Sequence, residues 1–233
     1  MSPASVPFVG NNLTMAGTIT ALKLQKKNKE RVNVYLDGRY AFSLVAIEAA
    51  KLKRGQLLSD QEIEDLLERD SFQKAYSRVL RFLSYRPRSE AEVRRYLQGK
   101  KVPPTIETEV VEHLTAAGLL DDRDFARYWV ENRESFNPRG RHALRYELRQ
   151  KGLSEEIIAL ALEDIDEEES AYRALISRAR RMSPLDRGSF RKKLGSFLRR
   201  RGFSYEAISA ALERTWREMA EEGQVLDESE DVK

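Results

Sequence analysis

Two stretches of this chain, fifty-one residues apart, are written on one plan. The first, RPRSEAEVRRYLQGKKV, runs over 86–102, and the second, NPRGRHALRYELRQKGL, over 137–153. Aligning Pro87 with Pro138 places Ser84 on Ser135, Tyr85 on Phe136, Arg88 on Arg139 and Val93 on Leu144. It also places Leu97 on Leu148, Lys100 on Lys151 and Ile106 on Ile157. A third copy lies about fifty residues further on, where Leu194, Leu198, Gly202, Ser204 and Leu212 answer Leu144, Leu148, Gly152, Ser154 and Leu162. A period of this length restricts the fold to small supersecondary units that lean on one another, because one such unit buries too little apolar surface to stand alone. The expected fold is mainly α: three tandem three-helix units in an elongated, curved array.

The unit's joints have a mechanism. Gly152 and Gly202 suit the left-handed residue that ends a helix, and Ser154 and Ser204 cap the next one. Ile157 and Ile208 then begin its buried stripe. The first helices of the units are predicted over 72–84, 124–134 and 170–181. Ala171, Leu175, Ile176 and Ala179 form one apolar stripe, and Phe190, Leu194, Phe197 and Leu198 another. Upstream the pattern changes. In RVNVYLDGRYAFSL, Val32, Val34 and Leu36 alternate with Asn33 and Tyr35, the period of a half-buried strand. Asp37-Gly38 supplies positive φ for a two-residue turn. With TITALKL this makes a small β-hairpin or three-stranded sheet, too small to be stable unless it packs on the downstream helices. Ser59 and Glu62 form a capping box for a helix after it. The expected organisation is a disordered leader over 1–16, the sheet with helices over 17–70, helical repeats over 71–120, 121–169 and 170–219, and an acidic disordered tail over 220–233.

The net charge of +3 says little, but its distribution says more. Between Arg173 and Arg201 stand eleven Arg or Lys and one acid, Asp186. EDIDEEES precedes this stretch, and EEGQVLDESEDVK comes after it at the end of the chain. Positive charge concentrated on particular segments fits an anionic partner. There is no cysteine, which excludes disulfides and thiolate chemistry. No apolar run is long enough for a membrane span, and a cytoplasmic protein is expected. The phosphate-binding, dinucleotide, zinc-protease and serine-hydrolase motifs are all missing. His113 and His142 lie in different helices; His113 suits a helix C-terminal end. Asp121, Asp122 and Asp124 in LLDDRDF resemble a metal cluster, but Gly118 ends one helix just before them, so capping of the next explains them better. No enzyme activity, metal or cofactor is expected.

The basic helices remain. Arg141, Arg145 and Arg149 recur at four-residue spacing, opposite Leu144 and Leu148. Arg94, Gln98 and Lys101 give a weaker version, and Arg191, Lys192, Lys193, Arg199, Arg200 and Arg201 a third. Arginine suits bidentate contact with carboxylates and phosphates alike, so an acidic protein groove, a nucleic-acid backbone and a merely solvated face all stay open. Direct base reading is not expected, since these helices lack the mixed polar N-terminal turn of a major-groove reader. The candidate partner-binding residues are Arg88, Arg94, Arg95, Arg139, Arg141, Arg145, Arg149, Arg191, Lys192, Lys193, Arg199 and Arg200. Arg88 and Arg139, each next to a proline, could equally brace a junction.

Several ordered segments resemble one family. KKNKERVNVYLDGRYAFSL resembles the hairpin that opens the RecX regulatory proteins of bacteria. YSRVLRFLSYRPRSEAEVRRYL, over 76–97, is similar to their most recognisable segment, and GLLDDRDFARYWVENR with PRGRHALRYELRQKG after it to the next. The likeness runs from about Gly17 to Trp216 and is weakest in the third unit. It implies a non-catalytic, monomeric regulator that binds the RecA–DNA filament and lowers its ATPase, strand-exchange and co-protease activities. Such proteins lie in the filament groove across neighbouring protomers or block its growing end. The alternative is a direct, sequence-independent DNA-binding protein, single- or double-stranded, acting through the same helices. Charge reversal at Arg141, Arg145 and Arg149 together is expected to weaken filament binding without changing helical content.

Overall fold

A computed structural model of the chain describes residues 15–181 and 186–222. Most of the expected leader, and the expected tail from 223 on, lie outside the described residues. The chain divides into two compact bodies. One comprises the described residues up to Phe82 together with Leu97–Glu112; the other comprises Leu83–Tyr96 and the described residues from His113 on.

The first body opens with strands β1 (Gly17–Leu24), β2 (Arg31–Leu36) and β3 (Arg39–Val45), then a single-turn helix α1 (Ala46–Ala49) and a short strand β4 (Leu57–Leu58). The sheet has four strands, ordered β3-β2-β1-β4 and antiparallel throughout, rather than the three expected. The fourth pairs Leu58 with Gly17 and Leu57 with Thr18, and two residues are too few to show any alternation in sequence. The hairpin turn is as the dipeptide predicts, with φ of 47° at Asp37 and 81° at Gly38. Ile19, Val34 and Leu44 are fully buried with Leu58, and Ile63 and Leu66 of helix α2 (Asp60–Leu83) cover them.

Helix α2 is one continuous helix, so the expected boundary between 70 and 71 falls inside it. Its start is the capping box: Ser59 N donates to Glu62 Oε2 at 2.8 Å, and Glu62 N to Ser59 Oγ at 3.3 Å. Asp70, at its middle, is buried and accepts from the Val45 backbone N–H at 2.6 Å, with Arg31 at 3.3 Å and Lys74 Nζ at 2.5 Å. A charged anchor to the sheet at mid-helix explains why no break occurs there.

The remaining helices are α3 (Glu90–Gly99), α4 (Pro104–Ala116), α5 (Asp122–Phe136), α6 (Arg141–Gln150), α7 (Glu155–Leu162), α8 (Glu167–Ala179), α9 (Arg187–Arg200) and α10 (Tyr205–Glu221). In the second body α5, α6 and α7 enclose Phe125, Leu144, Leu148, Ile158 and Leu162. Helices α8, α9 and α10 enclose Leu175, Phe190, Leu194, Leu198 and Leu212. Gly152 and Gly202 take φ of 87° and 78°, and Ser154 and Ser204 accept from Ile157 N and Ala207 N. At the matching place in the first copy the left-handed residue is Lys101, with φ of 57°.

The modules of this body are joined by one device used twice: the end of one module's second helix rests on the start of the preceding module's second helix. Ser89 Oγ donates to Lys151 O at 2.7 Å while accepting from Glu92 N at 3.2 Å. Gly140 N donates to Arg201 O at 3.0 Å. A Cβ on Gly140 would stand 2.1 Å from Gly202 O, so only glycine fits this approach.

Candidate partner-binding surface

Sequence spacing placed Arg141, Arg145 and Arg149 on one side of α6, and their neighbours decide what each is available for. The Arg141 guanidinium donates to Ile165 O at 2.6 Å and Glu163 O at 3.2 Å, so it closes the carbonyl end of α7. Its backbone N–H donates to Glu167 Oε1 at 2.9 Å. Arg149 pairs with Glu155; their hydrogen bond raises the arginine's pKa and lowers the carboxylate's. Arg145 is exposed, with no hydrogen bond or ion pair among the described residues.

The other candidates divide the same way. Arg94 Nε lies 2.7 Å from Glu90 Oε1, and Arg95 donates to Ala91 O and to Gln150 O at the end of α6. Arg191 pairs with Glu213. Arg88 is half-buried, and burial, then the nearby charge of Arg86, lowers its pKa against the pull of Glu92. Arg139 is also half-buried, its Nε 3.6 Å from Glu147 Oε1, as a junction brace would be. Lys192, Lys193, Arg199 and Arg200 are exposed and have no such partner among the described residues. Their spacing puts Lys192 and Arg199 on the face of α9 opposite buried Phe190, Leu194 and Leu198, with Lys193 and Arg200 on its flank. Arg145 and these four are thus exposed cations without a hydrogen bond or ion pair among the described residues.

The acidic residues do what capping requires. Asp121 accepts from Arg123 N and Asp124 N at the start of α5, and Asp124 pairs with Arg127. Asp122 accepts from Glu90 N at 2.8 Å, reaching across to the start of α3; burial raises its pKa despite that bond. His113 lies in the last turn of α4, as expected, and His142 is exposed on α6. Among the described residues no group of three His, Asp or Glu could hold a metal ion, and no helix is long and apolar enough to cross a membrane.

Sequence spacing missed the charge relay at the first junction. Glu92 Oε1 lies 2.9 Å from Arg86 Nη2 and 2.8 Å from Lys151 Nζ. Burial alone would raise the Glu92 pKa, but hydrogen bonds from Arg86 and Lys151 and their charges outweigh it and hold it at about 2. Glu147 likewise accepts from Trp129 Nε1 and Arg133 Nε, both at 2.8 Å. The only signal for these pairs in the sequence is Glu92 and Glu147 lying close to the basic positions of their helices.

Capped and braced helical modules after a small antiparallel sheet define a mainly helical protein assembled from repeats. The chain matches the family model for the RecX N-terminal domain over 17–59 and those for the first, second and third RecX three-helix domains over 75–114, 121–162 and 166–212. It is 35% identical over 201 residues to the regulatory protein RecX of Bacillus subtilis, covering 84% of this chain and 76% of that one. It is 31% identical over 215 residues to that of Listeria welshimeri, covering 89% and 80%. A crystal structure of a regulatory protein RecX superposes with a TM-score of 0.64 at 29% identity, over 86% of this chain and all of that one. The chain belongs to the RecX family of regulatory proteins.

Proposed function

We propose that this protein binds the RecA–DNA filament and lowers its ATPase, strand-exchange and co-protease activities, without catalysing a reaction itself. Membership of the RecX family carries this reading, and the outward cations Arg145, Lys192, Lys193, Arg199 and Arg200 support it. A filament presents the same anionic features at every step, and modules repeated along one chain can engage several at once. Linked weak contacts then multiply through effective concentration. Binding is monomeric, requires no cofactor and takes place in the cytoplasm, where the filament forms.

The test is the single-strand-DNA-dependent ATPase rate of the matching RecA while the protein is titrated in. Inhibition at well below one molecule per recombinase monomer is expected; no effect at equimolar protein on a formed filament would overturn the reading. The informative variant is Arg145→Glu with Lys192→Glu and Arg199→Glu, which breaks no hydrogen bond or ion pair among the described residues. Reversal at Arg141 and Arg149 would also remove the brace on α7 and the pair with Glu155, so a loss of function there would be ambiguous.

A further inference from the structure

Helix α9 carries no acid of its own. Two of its cations, Arg187 and Arg191, share Glu213 of α10, at 2.8 and 2.5 Å. The other four, Lys192, Lys193, Arg199 and Arg200, are exposed and have no hydrogen bond or ion pair among the described residues. They stand along about 12 Å of helix. Uncompensated like charges this close repel one another and favour a bound anion.

The same chain writes four acids at a similar density. Asp227, Glu228, Glu230 and Asp231 lie within five residues, with no cation among them. Residues 223–233 lie outside the described residues, and helix α10 fixes the point from which they continue. Its cap Glu222 is 3.0 Å from Arg180, at the end of α8. Upstream, the Trp216 ring meets the Phe190 ring of α9 edge-on at 5.1 Å. From Glu213, beside the start of α9, the helix runs about 12 Å to Glu221. The chain from Glu222 to Asp231 spans up to about 30 Å when extended. That covers the return of about 12 Å to Lys192, about 5 Å round the helix and about 12 Å more to Arg200.

We propose that the acidic segment 227–231 docks on this face of α9 in the same chain and competes with the filament for its four cations. Tethering holds the acids at a roughly millimolar effective concentration, above that of the same segment on a second copy at micromolar protein. Each exposed ion pair is weak, so docking is reversible, and it lowers apparent affinity for the filament by the fraction of chains left open. The contact itself needs no partner; the competition rests on the filament reading above.

The test is carbodiimide cross-linking of the full chain without recombinase, read by mass spectrometry of tryptic peptides. An equal mixture of chains with natural and heavy nitrogen separates contacts within one chain from contacts between two. Asp227, Glu228, Glu230 or Asp231 should couple to Lys192 or Lys193 within one chain. The yield should fall about threefold or more at about 0.5 M salt, and likewise in the Arg199→Gln, Arg200→Gln protein. No cross-link from this segment to α9, or a yield indifferent to salt, would overturn the proposal. Cross-links formed only between chains would assign the face to a second copy and overturn it too. In the RecA ATPase assay, the chain with Asp227→Asn, Glu228→Gln, Glu230→Gln and Asp231→Asn should reach half-inhibition at about three- to tenfold lower concentration. Equal midpoints would overturn the competition. Absence of inhibition by both proteins would overturn the filament reading and the competition with it, while the cross-links would still uphold docking.

Discussion

Replacing Glu92 by Gln removes one negative charge from between Arg86 and Lys151 while keeping its shape. The carboxylate pKa is about 2 in the folded chain against an ordinary value of 4.5. That difference corresponds to at most about 3.4 kcal/mol, and solvent screening of a partly exposed group reduces it to roughly 1.5–2 kcal/mol. Because the folded pKa is the lower one, this stability is fully present above about pH 4.5 and is lost as the pH falls through about 2. Urea unfolding monitored by circular dichroism at pH 7, 4 and 2.5 measures it. The Glu92→Gln protein should be less stable by roughly 1.5–2 kcal/mol at pH 7, and the two proteins should converge as the pH falls. Other carboxylates titrate alike in both proteins and cancel in the difference. A deficit that stays constant from pH 7 to 2.5, or no deficit at pH 7, would refute the assignment of this charge to the junction.

Gly140→Ala should cost about 2–4 kcal/mol by the same assay, because the added methyl meets the Gly202 carbonyl and opens the hydrogen bond to Arg201 O. The Gly140 backbone, at φ −70° and ψ 159°, is one that alanine adopts freely, so a neutral result would mean that the close approach is absent. Lys101→Gly should stabilise the chain by about 0.5–1 kcal/mol, since it relieves a left-handed residue carrying a side chain. A lower urea midpoint for this variant would show that the lysine side chain holds the turn.

The features legible in the sequence were local ones. Gly152, Gly202, Ser154, Ser204 and the Asp37-Gly38 turn each act within a few residues of themselves, and the repeat multiplied their signal. Strand β4 escaped because two residues carry no period, and the continuity of α2 because it depends on Asp70 meeting Val45, twenty-five residues away. The basic face was legible as spacing and illegible as availability. Arg141 is occupied by carbonyls of Glu163 and Ile165, and Arg191 by Glu213, partners that no helical periodicity connects to them. Arg201 was read only as one of a basic run and Arg178 was passed over, for the opposite reason. Both face the Phe197 ring, and their distinction is a missing acid, visible only once Phe197 is set against Glu147 and Ala143 against Glu92.

The way α3, α6 and α9 begin gives the modules a reading direction. Helix α3 opens on Ser89, which caps its own first turn and also holds Lys151 O of the next module. Helix α6 opens on Gly140, which has no side chain to cap with; its first amides turn to Arg201 O and Glu167, both from the module after it. Helix α9 opens on Asp186, which accepts from Ser189 N and relies on nothing downstream. The modules are therefore not interchangeable beads. Moved to the place of α9, α6 would lose both acceptors of its opening amides, whereas α9 keeps its start closed with residues of its own.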